Sequence, residues 1–416
     1  MKKSIFLAAL VLISAGCFAQ KANVIKAKNL AGAETPDYAG ARAAIAEALQ
    51  HEETKDLADT WYNAGLVGYK EFENYNLKRM MGQKYDVNAW GAAVMESLNY
   101  WEKAYEMALV PTYDKKGKAK YDTKTPKNIL PKVVAFFQEQ PLVISGFSYY
   151  ENSDPSTAYD MFMAHVNIPE MKIMQDHPEE LAKLVRDSSF YTCVYYAGRF
   201  AYEANRYDEA IATLERMNSE HANANALRKE IIYANEYIYQ IYLEQGDTVN
   251  AVASIQKSID LFPEEPWFMQ NLINLYINSG QEDKAVEYLD LAIEREPNVG
   301  QYYNSKGSIL ARIGRFEESF KAFEQAIAIE PNNALFLETL GFAYVDLGNK
   351  LNDDAIYYDA KEYAKAKVEI DKAFNSALPY FEKAYELEPD KADFKRTLRS
   401  LYYRLGMNDK YEALAD

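Results

Sequence analysis

The chain has 416 residues, of which 49% are hydrophobic and 14% aromatic, so it can bury a large core and is not a disordered chain. It contains 46 lysines and arginines against 62 aspartates and glutamates, which gives a formal net charge of −16. Such an acidic chain repels nucleic acid and anionic membrane surfaces, because lysine and arginine are the residues that neutralise phosphate. We therefore expect no nucleic-acid partner.

The first residues, MKKSIFLAALVLISAGCFAQ, are typical of a secretory signal peptide. Two lysines precede an apolar run that is too short for a stable membrane span, and small residues follow the run. We expect cleavage after Ala19, so that residues 1–19 are removed and the mature chain begins at Gln20. No later stretch is long and apolar enough to predict a transmembrane segment. The expected location is periplasmic or secreted.

Cys17 supports a second interpretation of the same segment. A bacterial lipoprotein signal places a cysteine after small residues, where it receives lipid, and the tripeptide SAG precedes Cys17. The apolar residue that usually stands three positions before such a cysteine is replaced by Ser14. Cleavage is therefore the preferred interpretation, and a lipoprotein anchored through Cys17 is the alternative.

Residues 20–187 contain helical patterns in which small and bulky apolar residues recur at regular offsets. The clearest segments are DYAGARAAIAEAL (37–49), DTWYNAGLVGY (59–69), SLNYWEKAYEMAL (97–109) and VISGFSYYENSDPSTAYDMFMAH (143–165). Each segment predicts a helix or a pair of helices. Two prolines in the stretch NIPEMKIMQDHPEE predict a break near 168–188.

A lysine-rich segment interrupts this first region. Residues 113–132, YDKKGKAKYDTKTPKNILPK, carry seven lysines against two aspartates within an acidic protein. We expect a long solvated loop between two helices. The alternative is a docking site for an anionic envelope component or an acidic partner.

The second half of the chain repeats itself at one constant interval. The repeated positions are Gly246, Gly280, Gly314 and Gly348; Ala251, Ala285 and Ser319; Ser258, Ala292 and Ala326; and Pro263, Pro297 and Pro331. The glycines predict the end of a first helix, where a left-handed residue is needed. The small residues let a second helix approach closely, with a bulky apolar residue between them. The prolines predict where that second helix ends.

This helix, turn, helix pattern resembles the tetratricopeptide repeat, which has the same period of about 34 residues. LGFAYVDLG (340–348) and KGSILARIG (306–314) are similar to its first helix, and RYDEAIATLERM (206–217) is similar to its second. The resemblance implies an all-α fold, a tetratricopeptide-like α-solenoid of antiparallel helix pairs that form a right-handed superhelix. The signal ending CFAQ and the helices rich in tyrosine and lysine also resemble secreted tetratricopeptide proteins of Bacteroidetes.

Three regions follow from this pattern. After the signal peptide, residues 20–187 are expected to form a degenerate tetratricopeptide-like helical region, and residues 188–416 a clear array. The next proline of the series, Pro389, comes later in the chain than the period requires, which predicts a helical insertion near 349–374. DFKRTLRSLYYRLG (393–406) predicts a C-terminal capping helix, because a solenoid needs a polar end.

The sequence offers no motif for catalysis. The four histidines, His51, His165, His177 and His221, are scattered and lack metal-ligand spacing. There is no glycine-rich phosphate loop and no nucleophile elbow. Cys193, in an apolar stretch, is expected to be a buried thiol. We therefore predict a protein that is not an enzyme and needs no cofactor or metal.

The resemblance implies that a partner binds on the concave surface, which first helices line. The candidate residues on this face are Tyr233, Glu236, Gln240, Trp267, Gln270, Asn274, Asn278, Gln301, Asn304, Ser308, Arg312, Glu338 and Phe342. They are expected to be exposed, because they lie between the packing positions. Amides can bond a peptide backbone, and aromatic rings can anchor a partner. The lysine and asparagine pair of repeats that grip a C-terminal carboxylate is absent at these positions.

We therefore expect a non-enzymatic protein–protein interaction scaffold in the bacterial cell envelope, which binds a protein or peptide on the concave surface. One alternative is an accessory component of an outer-membrane assembly or nutrient-uptake complex, anchored by lipid at Cys17. Another is a glycan-binding protein that stacks sugars on Trp267 and Tyr233. The sequence does not indicate an oligomeric state.

Overall fold

The computed structural model describes residues 21–218 and 225–414. Within these ranges the chain is almost entirely helical, which confirms the predicted all-α class. The signal peptide, Cys17 and His221 lie outside the described residues. No helix in the described ranges is long and apolar enough to cross a membrane.

Short connections join the helices and the single pair of strands in the described ranges. In chain order they are α1 (21–31), α2 (Tyr38–Gln50), α3 (Ala58–Met80), α4 (Val87–Ala108), β1 (Thr112–Tyr113), β2 (Ala119–Lys120), α5 (Lys124–Glu139), α6 (Pro141–Glu151), α7 (Pro155–Val166), α8 (Lys172–Gln175), α9 (Pro178–Leu181), α10 (Ser188–Glu203), α11 (Tyr207–Glu215), α12 (Arg228–Glu244), α13 (Thr248–Leu261), α14 (Pro266–Asn278), α15 (Glu282–Arg295), α16 (Gly300–Arg312), α17 (Phe316–Ile329), α18 (Ala334–Asp354), α19 (Ala360–Leu387), α20 (Ala392–Arg404) and α21 (Asn408–Ala413). Short 3₁₀ turns occur at Ile168–Glu170, Arg216–Asn218 and Asn225–Leu227.

The chain forms two compact units that divide between Ala251 and Val252, within α13. The predicted division at residue 187 rests on how clearly the repeat is visible in the sequence, and it stays a prediction. In the first unit, α3, α4 and α5 enclose an aromatic core. The ring of Phe72 stacks on Trp90 at 5.9 Å and meets Phe136 edge-on at 5.0 Å. Aromatic rings of this size contribute most of the buried apolar area of such a core.

The second unit is built from successive antiparallel helix pairs, α14 with α15, α16 with α17 and α18 with α19, followed by α20 and α21. The small-residue positions of the repeat are buried in every pair, as predicted. The bulky residues between them, Ile255, Leu289 and Phe323, are also buried. Each second helix stops two residues before the proline of its repeat, for example α17 at Ile329 before Pro331.

The glycine positions divide into two kinds. Gly246, Gly280 and Gly314 have φ of 72°, 68° and 79°, so each takes the left-handed conformation that ends a first helix. The sequence predicts the same for Gly348, and this prediction is wrong. Gly348 lies inside α18, which continues to Asp354, and its surface is buried. The ring of Phe374 from α19 packs against it, so this glycine allows two helices to approach rather than ending one.

The predicted helical insertion is a lengthening of one helix pair. α16 and α17 have 13 and 14 residues, whereas α18 and α19 have 21 and 28. Asp359 begins α19 with a capping box, in which its side chain accepts from backbone N–H groups and Glu362 reaches back to Asp359. The turn before it exposes Ile356 and Tyr357, the latter at 95%. The sequence predicts a last helix over residues 393–406, which corresponds to α20. A further short helix, α21, follows it and was not predicted.

The lysine-rich segment is not the long loop that the sequence predicts. β1 and β2 form an antiparallel hairpin in which Thr112 pairs with Lys120 and Tyr113 with Ala119. Gly117 supplies the left-handed residue of its turn, with φ of 74°. Asp122 then accepts from the backbone N–H of Lys124 and starts α5. Turn and cap chemistry at these positions gives the segment a fixed structure.

Candidate functional site

The helix α14 carries a row of amide side chains. Gln270, Asn274 and Asn278 are all exposed, whereas Met269 and Ile273 beside them are buried. Residues four apart lie on the same face of a helix, about 6 Å apart along its axis. In the described part of the chain, none of the three amides bonds to another side chain or to the backbone. We call these three residues the amide row.

The helix α16 only partly follows the expectation. Gln301, Ser308 and Arg312 are exposed, and Arg312 lies 3.6 Å from Glu282 of α15. The sequence predicts an exposed Asn304 as well, and this is wrong, since only 4% of its surface is accessible. Its Oδ1 accepts a hydrogen bond of 2.5 Å from the hydroxyl of Thr339 on α18. Asn304 therefore joins two first helices and does not present its amide to solvent.

Glu338 and Phe342 lie on α18. The carboxylate of Glu338 is half-buried and pairs with Lys391, with a nitrogen–oxygen distance of 3.4 Å. The ring of Phe342 is exposed on one side and meets Phe381 of α19 edge-on at 5.0 Å. The sequence did not indicate a role for Lys391. Its ion pair with Glu338 spans the lengthened helix pair, and no local pattern predicts such a contact.

The predicted residues of α12 belong to the first unit. Tyr233 and Gln240 are exposed, and Glu236 is half-buried. The amide of Gln240 donates to Glu244 at 3.1 Å, and Lys229 lies 5.5 Å from the centroid of the Tyr233 ring. The polar groups of this helix are therefore more occupied by neighbours than those of the amide row.

Glu244 has two further partners that the sequence did not indicate. The hydroxyls of Tyr202 and Tyr207 donate to its carboxylate at 2.7 and 2.9 Å. These hydrogen bonds hold the pKa of Glu244 below its usual value, so the carboxylate stays ionised at neutral pH. The tyrosines come from the preceding helix pair, and only the folded structure places them beside α12.

Trp267 stands at the start of α14. Its ring is half-buried and meets Phe268 edge-on, with 5.3 Å between the centroids. A ring buried in this way offers less flat surface for stacking than the sequence suggested. Of the two aromatic residues proposed for sugar stacking, Tyr233 is the more exposed.

The described residues contain no obvious catalytic arrangement. Burial raises the pKa of Cys193 to about 12, so its thiol stays protonated and is a poor nucleophile. No group of three or more histidine, cysteine, aspartate or glutamate residues in these ranges is placed to hold a metal ion. A cavity of about 300 Å³ in the first unit is lined by Asn99, Glu102 and Glu170 among others, and Arg216 already pairs with Glu170 at 2.7 Å. The side chains that line this cavity do not include a nucleophile beside a general base.

Helix pairs with this period and packing define a tetratricopeptide-like α-solenoid. Comparison with protein families identifies a tetratricopeptide repeat over residues 242–309 and a TPR repeat over residues 307–348. This part of the chain therefore consists of tetratricopeptide repeats, and it contains the amide row and α16. No curated protein matches the chain.

Several solved structures are similar in part. MamA of MSR-1 is 21% identical, over 47% of this chain and 95% of that one, with a TM-score of 0.30. MamA from Desulfovibrio magneticus RS-1, from its residue 41 onwards, is 18% identical over 44% of this chain and 89% of that one, with a TM-score of 0.32. YrrB, described as a TPR protein with an unusual peptide-binding site, is 17% identical over 49% and 90%, with a TM-score of 0.31. Values this low give no information about what this chain binds.

Proposed function

We propose that the protein is a non-enzymatic scaffold that binds an extended peptide segment of another protein along its first helices. Tetratricopeptide repeats in general mediate protein–protein interactions, and residues 242–348 are repeats of this kind. The observation that supports a specific site is the amide row of α14, whose three exposed side chains have no partner within the described residues. Amides can donate to and accept from a peptide backbone at the same time.

The spacing of the amide row fits an extended peptide. Four residues of helix advance about 6 Å, and two residues of an extended strand advance about 6.6 Å. Successive amides can therefore bond every second residue of a peptide that runs parallel to α14. The mismatch over the whole row is about 1 Å, which flexible glutamine and asparagine side chains absorb. Side chains of the peptide would then decide specificity through other exposed residues of the first helices, such as Arg312 of α16.

The binding site can be tested with a library of random peptides displayed on phage and selected on the full chain. A synthetic peptide from the selection would be titrated against the wild type and against a variant with Gln270→Ala, Asn274→Ala and Asn278→Ala. Each lost hydrogen bond costs about 1 kcal/mol, so we expect binding to weaken at least about tenfold. The matched control replaces exposed amides outside the first helices, with Asn298→Ala, Gln325→Ala and Asn332→Ala, and should bind as the wild type does.

Two results would overturn this proposal. One is equal loss of binding in the amide-row variant and the control variant. The other is a selection that enriches no peptide above background on the folded protein. In the second case a glycan array would be the next experiment, and Tyr233→Ala would be the variant that tests stacking.

We further propose that the scaffold works in the cell envelope of a Gram-negative bacterium, in the periplasm or after secretion, as in Bacteroidetes. The support is the N-terminal sequence with its two lysines, apolar run and small residues. Mass spectrometry of the mature N-terminus tests this. A start at Gln20 supports a cleaved signal peptide, and a diacylated Cys17 supports a lipid-anchored role beside an outer-membrane complex. An intact Met1 in the purified native protein would contradict both.

A further inference from the structure

The hairpin β1–β2 and the first turn of α5 carry a net positive charge. The lysines concerned are Lys115, Lys116, Lys118, Lys120, Lys124 and Lys127. All six are exposed, and none forms an ion pair with any described residue of this acidic chain. Lys132, the seventh lysine of the segment, differs, because it is half-buried and lies 5.2 Å from the centroid of the Tyr69 ring. We call residues 110–127 the basic hairpin.

The two aspartates of the basic hairpin accept hydrogen bonds from backbone N–H groups of the same segment. Asp114 accepts from the N–H groups of Lys116 and Lys118, at 2.8 and 3.0 Å, and holds the turn. Asp122 accepts from Thr125 through both the backbone N–H and the hydroxyl, at 3.1 and 2.6 Å. Both carboxylates therefore bond groups of their own turn, and neither forms an ion pair with a lysine within the described structure. The two carboxylates offset only part of the charge of the six lysines, so the basic hairpin keeps a net positive charge that faces solvent.

Exposed apolar surface accompanies this charge. Val110, Tyr113 and Tyr121 expose 58%, 69% and 60% of their surface, and Leu109 precedes them at 39%. Tyr113 shares one face of the ladder with Ala119, because the two residues are cross-strand partners. Tyrosine has an apolar ring and a polar tip, which suits the boundary between lipid headgroups and acyl chains. Docking on charge alone does not require these rings.

We propose that the basic hairpin binds the surface of an anionic phospholipid bilayer, as a second binding site separate from the peptide site on α14. Each lysine near such a surface is attracted to it, and six are clustered here between Lys115 and Lys127. Tyr113 and Tyr121 enter the interface while the long lysine side chains extend to the phosphates around them. The rest of the chain is strongly acidic and is repelled, so the protein approaches the membrane with the basic hairpin first.

A lipid surface explains the residue types better than an acidic protein does. The basic hairpin contains lysine and no arginine. Arginine is the residue that recognises a fixed carboxylate or phosphate through two parallel hydrogen bonds, whereas lysine acts as a flexible point charge. A fluid layer of headgroups needs no fixed geometry. An acidic peptide would use the charge but leave the exposed tyrosines and Val110 without a role.

The test is co-sedimentation of the full chain with vesicles of equal parts phosphatidylcholine and phosphatidylglycerol, and with vesicles of phosphatidylcholine alone. We expect binding to the anionic vesicles only, and weaker binding as salt rises from about 0.1 M to about 1 M, where the Debye length falls from about 10 Å to about 3 Å. A variant with Lys115→Gln, Lys116→Gln and Lys118→Gln should partition about a hundredfold less well. A variant with Tyr113→Ser and Tyr121→Ser should weaken binding even at low salt.

The matched control removes the same charge elsewhere. Lys321, Lys361 and Lys365 are exposed in the second unit and make no ion pair with a described residue. Their replacement by glutamine should leave vesicle binding at the wild-type level. Equal loss in both lysine variants would overturn the proposal, because net charge rather than the hairpin would then decide binding. Binding to a soluble poly-glutamate peptide without sedimentation on vesicles would also overturn it, and would assign the basic hairpin to an acidic protein partner.

The outcome is separable from that of the peptide site. The lysine and tyrosine substitutions lie in the first unit, and the amide row lies in the second. The hairpin variants should bind the selected peptide with wild-type affinity, and the amide-row variant should bind vesicles as the wild type does. Each proposal therefore stands or fails on its own measurement.

Discussion

The ring of Phe374 occupies the space that a side chain at Gly348 would need. A Cβ atom at position 348 would lie 2.7 Å from Cζ of Phe374, well inside van der Waals contact. The same relationship recurs within the second unit, between Gly307 and Phe323 and between Gly341 and Phe381. Each pair joins the first and second helix of one repeat. The missing side chain on one helix is therefore matched by an aromatic ring on the other, which fills the space at native packing density.

We predict that Gly348→Ala lowers the free energy of unfolding of the protein by about 1 kcal/mol, as the balance of two opposing effects. Alanine favours a helix interior by about 1 kcal/mol over glycine. Overpacking against the Phe374 ring costs about 1–3 kcal/mol and outweighs this gain. Urea unfolding followed by circular dichroism measures the change. Adding Phe374→Leu to Gly348→Ala should restore part of the loss, and a rise in stability for the single variant would contradict the packing argument.

The role of Gly348 also marks a limit of prediction from the sequence. Helix pairs, turn glycines and stop prolines follow from local chemistry and a fixed period, so the repeat predicts them well. Gly348 stands in the same position of the period as Gly314, yet its conformation depends on a lengthened partner helix and on Phe374, which is distant in the sequence. A single sequence does not distinguish a glycine that ends a helix from a glycine that lets an aromatic ring of the next helix pack against it.

Asn304 should act on stability and not directly on binding. The amide of Asn304 is buried and its Oδ1 accepts from the half-buried hydroxyl of Thr339, so Asn304→Ala removes this hydrogen bond and opens a small cavity. We expect a loss of about 1–3 kcal/mol in the free energy of unfolding, measured by urea denaturation. Asn274→Ala is the matched control on α14, and its exposed amide predicts an unchanged midpoint. The opposite ranking would show that the burial of Asn304 does not hold in solution.

The candidate face illustrates the same limit for function. The register of the repeat correctly predicted that Gln270, Asn274 and Asn278 are exposed, because they lie between the buried positions of a single helix. It failed for Asn304, whose partner Thr339 comes from the next repeat. The basic hairpin was visible only as a lysine-rich stretch, since the turn made by Asp114 depends on backbone geometry.

Arg206 should contribute more than a surface arginine usually does. Its guanidinium bonds Asp160 of α7 and Glu209 of α11, at 2.7 and 2.6 Å, and lies 4.2 Å from the centroid of the Tyr159 ring. Lysine cannot reproduce the fork or the stacking, so Arg206→Lys should cost about 1 kcal/mol in the free energy of unfolding.

The matched control for Arg206 is Arg315, which also precedes a second helix. It pairs with Glu318 and Asp283, at 2.6 and 3.2 Å, and no ring lies under it in the described structure. Because Arg315 is more open to solvent and lacks the ring, we expect Arg315→Lys to lower the unfolding midpoint less than Arg206→Lys does. Equal effects of the two substitutions would show that the Tyr159 ring adds nothing.

His165 should make the protein sensitive to mild acid. The side chain is buried on α7, its ring stacks on Phe137 at 4.8 Å, and Nδ1 has no hydrogen-bond partner among the described residues. Burial lowers the pKa of His165 to about 4, from an ordinary value of about 6.5. Between these two values the unfolded chain binds a proton that the folded chain excludes. The free energy of unfolding therefore rises with pH through this window. The contribution of neutral His165 is fully present above about pH 6.5.

The size of this effect follows from the shift in pKa. We expect the free energy of unfolding to fall by about 3 kcal/mol as the pH drops from about 6.5 to about 4, in addition to any loss from carboxylates. His165→Leu replaces the imidazole with an apolar side chain of similar volume and removes the titration. Urea midpoints measured at several pH values should therefore fall less steeply in acid for the variant than for the wild type. Parallel pH profiles for the two proteins would show that His165 is protonated without cost, and hence that it is not buried in solution.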